Sequence, residues 1–457
     1  MEDNRIKLLS TGSISKAVMK MALPSIIGLL VLAIYNIVDT MFVAWLGTQA
    51  TGATQIVFPI TMALGAVGLT FGIGGSSYVS RLLGENKKER AEQVVSTNFY
   101  SALGLGIIIT ILGILFIEPI LRLFGATDTM MPLSRDYGIF ILLGATAQIT
   151  NMTLNNLLRG EGSAKLSMIA MVTGAVLNIF LDPIFIFGLG LGIKGAAIAT
   201  SLSQFVTMFM LIRPYLAKKT LLHLHFKNVS YDSELIIEVL KMGSPSFARN
   251  ILTSVSMALL NNAAALYGSD AAVAAIGIVS RTMMIVMYII FGLSQGFQPV
   301  AGYNYGAKSY TRLKEALDFT VKLSIGISVI SCALFVIFDE AVLSIYNPTE
   351  TVMSMGSEFL VYYAFSTILM AYTNVISAYY QAIGRGMPAL LLSLARQGIF
   401  LIPAILILPK WFEMTGIYVS QPVADILTLA LTMVLFIPSL NKLKLLISEE
   451  KQSKQIA

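Results

Sequence analysis

About twelve apolar stretches, most of 20 residues or more, recur along nearly the whole chain, and no other feature limits its fold so strongly. A helix of that length spans a hydrocarbon core of about 30 Å. The stretches lie near 17–44, 53–80, 94–118, 133–158, 166–187, 194–214, 236–264, 272–302, 318–338, 355–381, 388–409 and 416–438. Polar or Gly/Pro-rich breaks separate them, as at Gly84-Glu85-Asn86-Lys87-Lys88 and Asn347-Pro348-Thr349. They are not ten-residue segments of alternating polarity, which argues against an outer-membrane barrel. Charged residues make up 12% of the chain, too few to cover a soluble surface of this size. The pattern predicts an all-α polytopic membrane protein.

Residues 1–20 are polar and mixed in charge, without the short apolar core and cleavage site of a signal peptide, so the first stretch is expected to stay as a span. The single cysteine, Cys332, excludes an intrachain disulfide and falls in an apolar run, where it packs. Alternate connections carry the basic residues. Arg5, Lys7, Lys16, Lys87, Lys88, Arg90, Lys165, Arg213, Lys218, Lys219, Lys308, Arg312, Lys442 and Lys444 fall on one side, against Arg122, Arg135, Lys194 and Lys410 on the other. The positive-inside rule then places both termini in the cytoplasm, as an even number of spans requires.

A shift of about 221 residues superposes the two halves: Leu23-Pro24-Ser25 on Ser244-Pro245-Ser246, Gly47 on Gly268 and Gly195 on Gly416. With small slips, Gly84 falls on Gly306 and Gly160-Glu161-Gly162 on Gly384-Arg385-Gly386. Each half holds six spans, so the repeats are parallel. The expected layout is a cytoplasmic N-terminus at 1–16, a six-helix bundle at 17–214, a cytoplasmic linker at 215–235, a second six-helix bundle at 236–438 and a cytoplasmic tail at 439–457. His223 and His225 have no ligand cluster around them and read as part of a solvated linker.

Ionisable side chains inside spans are costly and mark pathways. Asp39 in the first span and Asp182 in the fifth stand out. Asn178 lies one helical turn before Asp182, and Tyr35 has the same relation to Asp39. Asp39, Asp182 and Thr200 each lie about six residues, roughly 9 Å, from the outer ends of their spans. Two carboxylates, an amide oxygen and a hydroxyl at one level form a candidate site for a hard cation or a proton. Pro24 and Pro183 are expected to bend the helices that carry it. The second-half counterparts of the carboxylates are about Leu260 and the segment Pro403–Leu406, so the acidic pair belongs to the first half alone. A polar cluster that only ties helices together is the structural alternative.

Of the other intramembrane charges, Arg281 and Asp425 lie at comparable depth and are candidates for a buried pair, while Arg249 and Arg396 lie nearer the cytoplasm. Packing or gating is the expected role of these charges. Met62, Met168, Met171 and Met284 offer an adaptable apolar cavity, or ordinary lipid-facing filler. The chain has no Gly-x-x-x-x-Gly-Lys-Ser/Thr loop, metal-ligand cluster or nucleophile elbow, which leaves an ion gradient or the substrate's own gradient as the energy source. An integral-membrane enzyme would need a catalytic cluster at a membrane surface, and the loops offer none.

Tyr35-Asn36-Ile37-Val38-Asp39-Thr40, Leu177-Asn178-Ile179-Phe180-Leu181-Asp182-Pro183, Gly195-Ala196-Ala197-Ile198-Ala199-Thr200, Gln298-Pro299 and Gly302-Tyr303-Asn304-Tyr305-Gly306 together resemble the multidrug and toxic compound extrusion (MATE) family over about residues 12–440. The resemblance implies a V-shaped pair of six-helix bundles working by alternating access, and a monomer is the expected state. It implies export of amphipathic, often cationic, drugs or metabolites in exchange for H⁺ or Na⁺, with no other cofactor, metal or nucleic acid. It maps the family's first-half cation site onto Asp39, Asn178, Asp182 and Thr200, with Tyr35 and Asn155 as neighbours. The NorM-like branch also carries a carboxylate on span seven; here that region reads Pro245-Ser246-Phe247-Ala248-Arg249-Asn250, which points to the DinF- or MepA-like branch. The nearest alternative function is a flippase for a lipid-linked or polysaccharide precursor, for which Arg249, Arg281 and Arg396 would hold phosphate.

Overall fold

Hydrocarbon offers the backbone no hydrogen-bond partners, so a spanning chain must satisfy its peptide groups internally, and this one does so with helices. The computed structural model describes residues 2–456; residues 1 and 457, the ends of the expected N-terminus and tail, lie outside them. The first half contains α1 (Glu2–Ser10), α2 (Ile14–Ala44), α3 (Thr48–Gly84), α4 (Lys88–Leu115), α5 (Ile117–Leu123), α6 (Met131–Leu143), α7 (Ala145–Gly160), α8 (Ala164–Pro183) and α9 (Ile193–Leu216). The second contains α10 (Ser233–Tyr267), α11 (Asp270–Gly306), α12 (Tyr310–Ile337), α13 (Asp339–Ser344), α14 (Glu350–Ala382), α15 (Gly386–Leu394) and α16 (Leu401–Ile456). π-Helical turns follow α8 at Ile184–Gly188 and α15 at Ala395–Phe400.

Among the described residues, nine helical stretches are long and apolar enough to cross a membrane, and α6 with α7, bent by 46°, makes a tenth. Two more complete the twelve. The stretch that begins at Gly386 breaks at Glu413 (φ 48°, ψ −127°) and crosses twice, and α10 crosses beside α3. α10 is less apolar because Ser244, Ser246, Arg249, Asn250, Ser254 and Ser256 lie along it. Part of this polar stripe is bound within protein: Ser256 donates to the Gln397 carbonyl at 2.7 Å, and Asn250 to the Ser246 carbonyl at 2.8 Å.

The repeat is visible in the packing. α3 and α11 end in the same cap, with Asn86 (φ 58°) and Lys308 (φ 54°) left-handed, Lys87 N–H donating to Leu82 O and Ser309 N–H to Asn304 O. The two helix ends also pack reciprocally. A Cβ on Gly84 would lie 2.8 Å from the Ala307 nitrogen, and one on Gly306 2.9 Å from the Arg81 carbonyl carbon. Other close approaches between bundles, at Gly74 to Val239, Gly243 to Thr70 and Gly292 to Ile26, lie in the same half of the molecule. On that side, which carries the connection between the bundles, one continuous core joins Met21, Val79, Val239, Phe297 and Tyr379. Towards the far face the core splits into one cluster per bundle, around Ile141 and Ile149 in the first and Phe359 and Tyr418 in the second. The two bundles therefore form a V sealed on the linker face.

The linker departs from its expected solvated state only in part: His225, Phe226 and Lys227 are exposed, while one stretch docks onto the first bundle. Leu221 and Leu222 are buried, and His223 Nδ1 lies 2.8 Å from Glu92 Oε1. His225 N–H donates to Ser96 Oγ at 3.2 Å and Ser230 N–H to Thr97 Oγ1 at 3.0 Å. Apolar side chains in the segment and unpaired backbone groups on it make docking onto α4 more favourable than hydration. No group of three or more metal-ligating side chains occurs among the described residues. Both chain ends meet this face: Arg5 Nη2 donates to Lys219 O at 2.7 Å, and Thr311 N–H to Glu450 Oε2 at 2.9 Å. Residues 439–456 continue α16 as helix.

Candidate functional site

Four helices of the first bundle converge near the far face. Asp39 stands five residues before the end of α2, Asp182 six before the end of the π-helical turn, and Thr200 seven after the start of α9. At 1.5 Å per residue these offsets place all three within about 3 Å in depth. Pro183 supplies no N–H, and the π-helical turn that follows re-aims the chain immediately beyond Asp182. Gly144, where α6 gives way to α7, lets α9 approach: a Cβ there would lie 2.6 Å from Ser201 Oγ, and that hydroxyl donates to Phe140 O at 2.5 Å. Thr200 is thus held at its level by the break in the fourth span.

The Asp39 and Asp182 carboxyls lie within hydrogen-bonding reach of each other. Asp182 is fully buried, and so is Asn178, one turn before it. With its amide turned to satisfy both of its atoms, Asn178 donates to Asp182 Oδ2 at 3.0 Å and accepts from Thr200 N–H at 3.2 Å. The Tyr35 hydroxyl lies close enough to Thr200 for the two to act on each other. Asp39 Oδ1 is buried and has no hydrogen-bond partner among the described residues. No Lys or Arg is among the groups that act on either carboxylate. Two carboxylates this close repel, and they are stable together only with a proton between them or a cation on them. Oxygen donors from Asp39, Asp182, Asn178, Thr200 and Tyr35 are the type that a hard cation takes.

Tyr137 joins them from α6. It is buried, and Asp39, Tyr35 and Asp182 all act on it electrostatically. It stands six residues after the start of α6, at the depth of the other four, so the same depth comparison would have found it.

Other expected residues lie elsewhere. Asn155 accepts from Ser167 Oγ at 2.8 Å, and Arg159 Nη1 donates to the same hydroxyl at 3.3 Å. Ser167 precedes Asn178 by eleven residues, about 16 Å along α8, which puts Asn155 in a separate network towards the linker face. Met171 packs against α2, its Sδ 3.3 Å from where a Cβ on Gly28 would stand. α2 continues as helix through Pro24. Arg281 is exposed and is not the partner of Asp425. That carboxylate pairs instead with Arg396, whose Nε donates to Asp425 Oδ1 at 2.6 Å. The π-helical turn at Ala395–Phe400 and the reversal at Glu413 bring these two together, while Arg281 lies on α11. Arg249 lines a cavity in the second bundle, with Arg396.

Comparison with known proteins agrees with this arrangement. The family model described as MatE matches residues 24–184 and again 245–406, two matches that begin 221 residues apart, the offset of the internal repeat. The multidrug export protein MepA of Staphylococcus saprophyticus is 30% identical over 93% of this chain and 94% of its own length. That of Staphylococcus haemolyticus is 29% identical over 97% and 98%. A solved structure described as the outward-facing conformation of a multidrug resistance MATE family transporter superposes with a TM-score of 0.91 at 28% identity, covering 96% of this chain and 98% of that one. With one copy of the family model on each bundle and near full-length kinship to multidrug exporters, this chain belongs to the MATE family of multidrug efflux transporters.

Proposed function

We propose that the protein is a secondary antiporter of the cell membrane, with both termini cytoplasmic, that exports amphipathic compounds in exchange for H⁺ or Na⁺ bound at Asp39 and Asp182. The observation that carries this reading is the pair of adjoining carboxyls with no basic residue beside it and one buried oxygen, Asp39 Oδ1, left without a partner. Such a pair binds a positive charge from the far face and holds it between α2 and α8. Asn178 and Thr200 orient Asp182, and the Tyr35 and Tyr137 hydroxyls complete the oxygen shell. Occupancy changes how α2 packs on α8, with Pro24 as the point of bending because Lys20 O has no N–H to accept there. A V sealed on the linker face is the state in which the ion enters and the exported compound leaves. Each elementary charge driven through 100 mV supplies about 2.3 kcal/mol, a concentration ratio of roughly fifty.

The test is ethidium efflux from everted vesicles or loaded cells under separately imposed H⁺ and Na⁺ gradients, with wild type beside Asp39→Asn. Efflux driven by one of the gradients and lost in the variant, at equal amounts of folded protein, is the expected result. Full gradient-driven efflux by Asp39→Asn would remove the carboxylate from the coupling step.

A further inference from the structure

The second bundle lacks the acidic pair but has charges of its own. Asp425 is almost fully buried and well supplied with donors: Arg396 Nε at 2.6 Å, Arg396 Nη2 at 3.4 Å and Gln421 Nε2 at 3.0 Å. Arg249 is in the opposite condition. It stands sixteen residues into the 35-residue α10, near the middle of the span. Its guanidinium lies over the Phe291 ring, 5.1 Å from the centroid, and makes no hydrogen bond or ion pair among the described residues. The charged group that acts on it is another arginine, Arg396. Both line one cavity with Phe291, Met370, Asn374 and Gln397.

A guanidinium keeps its charge and carries five N–H donors in a planar fork. In a spanning helix such a group pairs with a carboxylate, with backbone carbonyls or with an anion from outside the protein. Asp425, the carboxylate in reach of this region, is already engaged by Arg396 and Gln421. The lining supplies further donors, while Phe291 and Met370 offer flat and adaptable apolar contact. We propose that this cavity is an oxyanion-recognition subsite, in which Arg249 takes the negatively charged group of an amphiphile whose apolar body rests against Phe291 and Met370. The chemistry is that of a carboxylate on a transported compound or of the phosphate of a lipid headgroup. In its transport form the proposal rests on the antiporter reading, and it adds that zwitterionic compounds are recognised at both poles of the charge, not as cations alone.

Tetramethylrhodamine and its methyl ester differ only in a free carboxylate, and they separate the two questions. Binding of each is read by fluorescence anisotropy on the full chain in maltoside, with and without phosphatidylglycerol, for wild type, Arg249→Lys and Arg249→Gln. Gradient-driven transport of the ester in proteoliposomes is measured alongside. The expected result is that the ratio of acid to ester affinity falls at least about ten-fold in Arg249→Gln and part-way in Arg249→Lys, which keeps the charge without the fork. If wild type shows no acid preference, but phosphatidylglycerol seen bound by native mass spectrometry is lost in Arg249→Gln, the oxyanion is the lipid's and the subsite stands. An acid-to-ester ratio and a lipid occupancy both unchanged by Arg249→Gln would overturn the proposal. Absence of ester transport by wild type would instead count against the antiporter reading, without touching the binding ratio.

Discussion

The seal between the bundles should be sensitive to one methyl group. Gly84 and Gly306 are related by the repeat, and each faces the backbone of the other's helix. In Gly84→Ala the new Cβ would stand 2.8 Å from the Ala307 nitrogen, and in Gly306→Ala 2.9 Å from the Arg81 carbonyl carbon. The carbonyl oxygens of Tyr303 and Arg81 stand closer still, and ordinary contact begins near 3.4 Å, so α3 and α11 must part by about an ångström or more, and neither backbone can swing aside as a side chain would. Overpacking of this kind costs about 1–3 kcal/mol. The cost falls on the sealed state alone, which shifts the equilibrium between sealed and open linker faces by about five- to 150-fold. Spin labels at Glu85 and Ala307, both exposed just beyond the two glycines, report the separation by dipolar broadening in continuous-wave electron paramagnetic resonance. Either alanine variant is expected to add a population at longer distance. The double variant should shift the balance by less than the sum of the two, because one separation relieves both clashes. Gly104→Ala, where the Cβ meets nothing within 4 Å, is the control. Distance distributions in both glycine variants identical to wild type would refute the claim that these contacts set the seal.

Tyr137→Phe should raise the ion concentration needed for half-maximal transport while leaving expression and ion-saturated efflux near wild type; an unchanged ion dependence would place Tyr137 outside the shell. Asp425→Asn weakens the forked pair with Arg396 in a site where both side chains are largely buried, and Asp425→Leu removes it, which should destabilise by about 3–5 kcal/mol. Thermal unfolding of Asp425→Leu, Arg396→Met and the double variant tests this, the double being expected to recover most of the loss. At the linker face, burial pushes the Glu161 carboxyl up from 4.5 to about 7, against the opposing pull of Ser163, Leu222 and Arg5. The folded value exceeds the unfolded one, so the folded state holds the extra proton between those two pH values. The associated stability, up to about 3 kcal/mol, is present at low pH and lost as pH rises through 7. Amide exchange of residues 219–225, corrected for its intrinsic pH dependence, should therefore quicken from pH 5 to pH 8 in wild type and stay flat in Glu161→Gln.

Local periodicity and the repeat made much of the fold legible. Asn178 and Asp182 share a helical face by spacing alone, and the glycines that match across the halves, Gly84 with Gly306 and Gly195 with Gly416, do the same packing in each. A Cβ on Gly195 would stand 2.6 Å from Phe185 O, and one on Gly416 2.5 Å from Leu408 O. Features that depend on how distant segments meet were hidden. Tyr137 is different: its depth is legible, and a comparison confined to carboxylates and their near neighbours passes over it. Arg396 finds Asp425 across the reversal at Glu413; the break between Pro409 and Gly416 marks that turn in the sequence, but not which side chains face each other across it. Comparison of depths therefore misassigned Asp425 to Arg281, which shares its level but not its helix interface. The docked linker escaped notice for a related reason, since Leu221 and Leu222 look like a short apolar accident until Glu92, Ser96 and Thr97 are seen to receive the backbone around them.

The two halves keep the same frame but divide the charges between them. Backbone contacts across the interface tolerate almost no change, since a Cβ at Gly84, Gly306 or Gly292 meets main chain, so the duplicated glycines are fixed by the seal itself. Side chains that point into the interior of each bundle carry no such constraint. In the first bundle the described interior near the far face holds two carboxyls with no base acting on them, and the interior of the second holds two arginines, Arg396 paired with Asp425 and Arg249 without a carboxylate of its own. On the proposed reading, this opposite polarity assigns the two ligands to different bundles: a cation on α2 and α8 and the anionic group of an amphiphile on α10 would meet only through the shared seal, which would then be the element through which each alters the other's affinity.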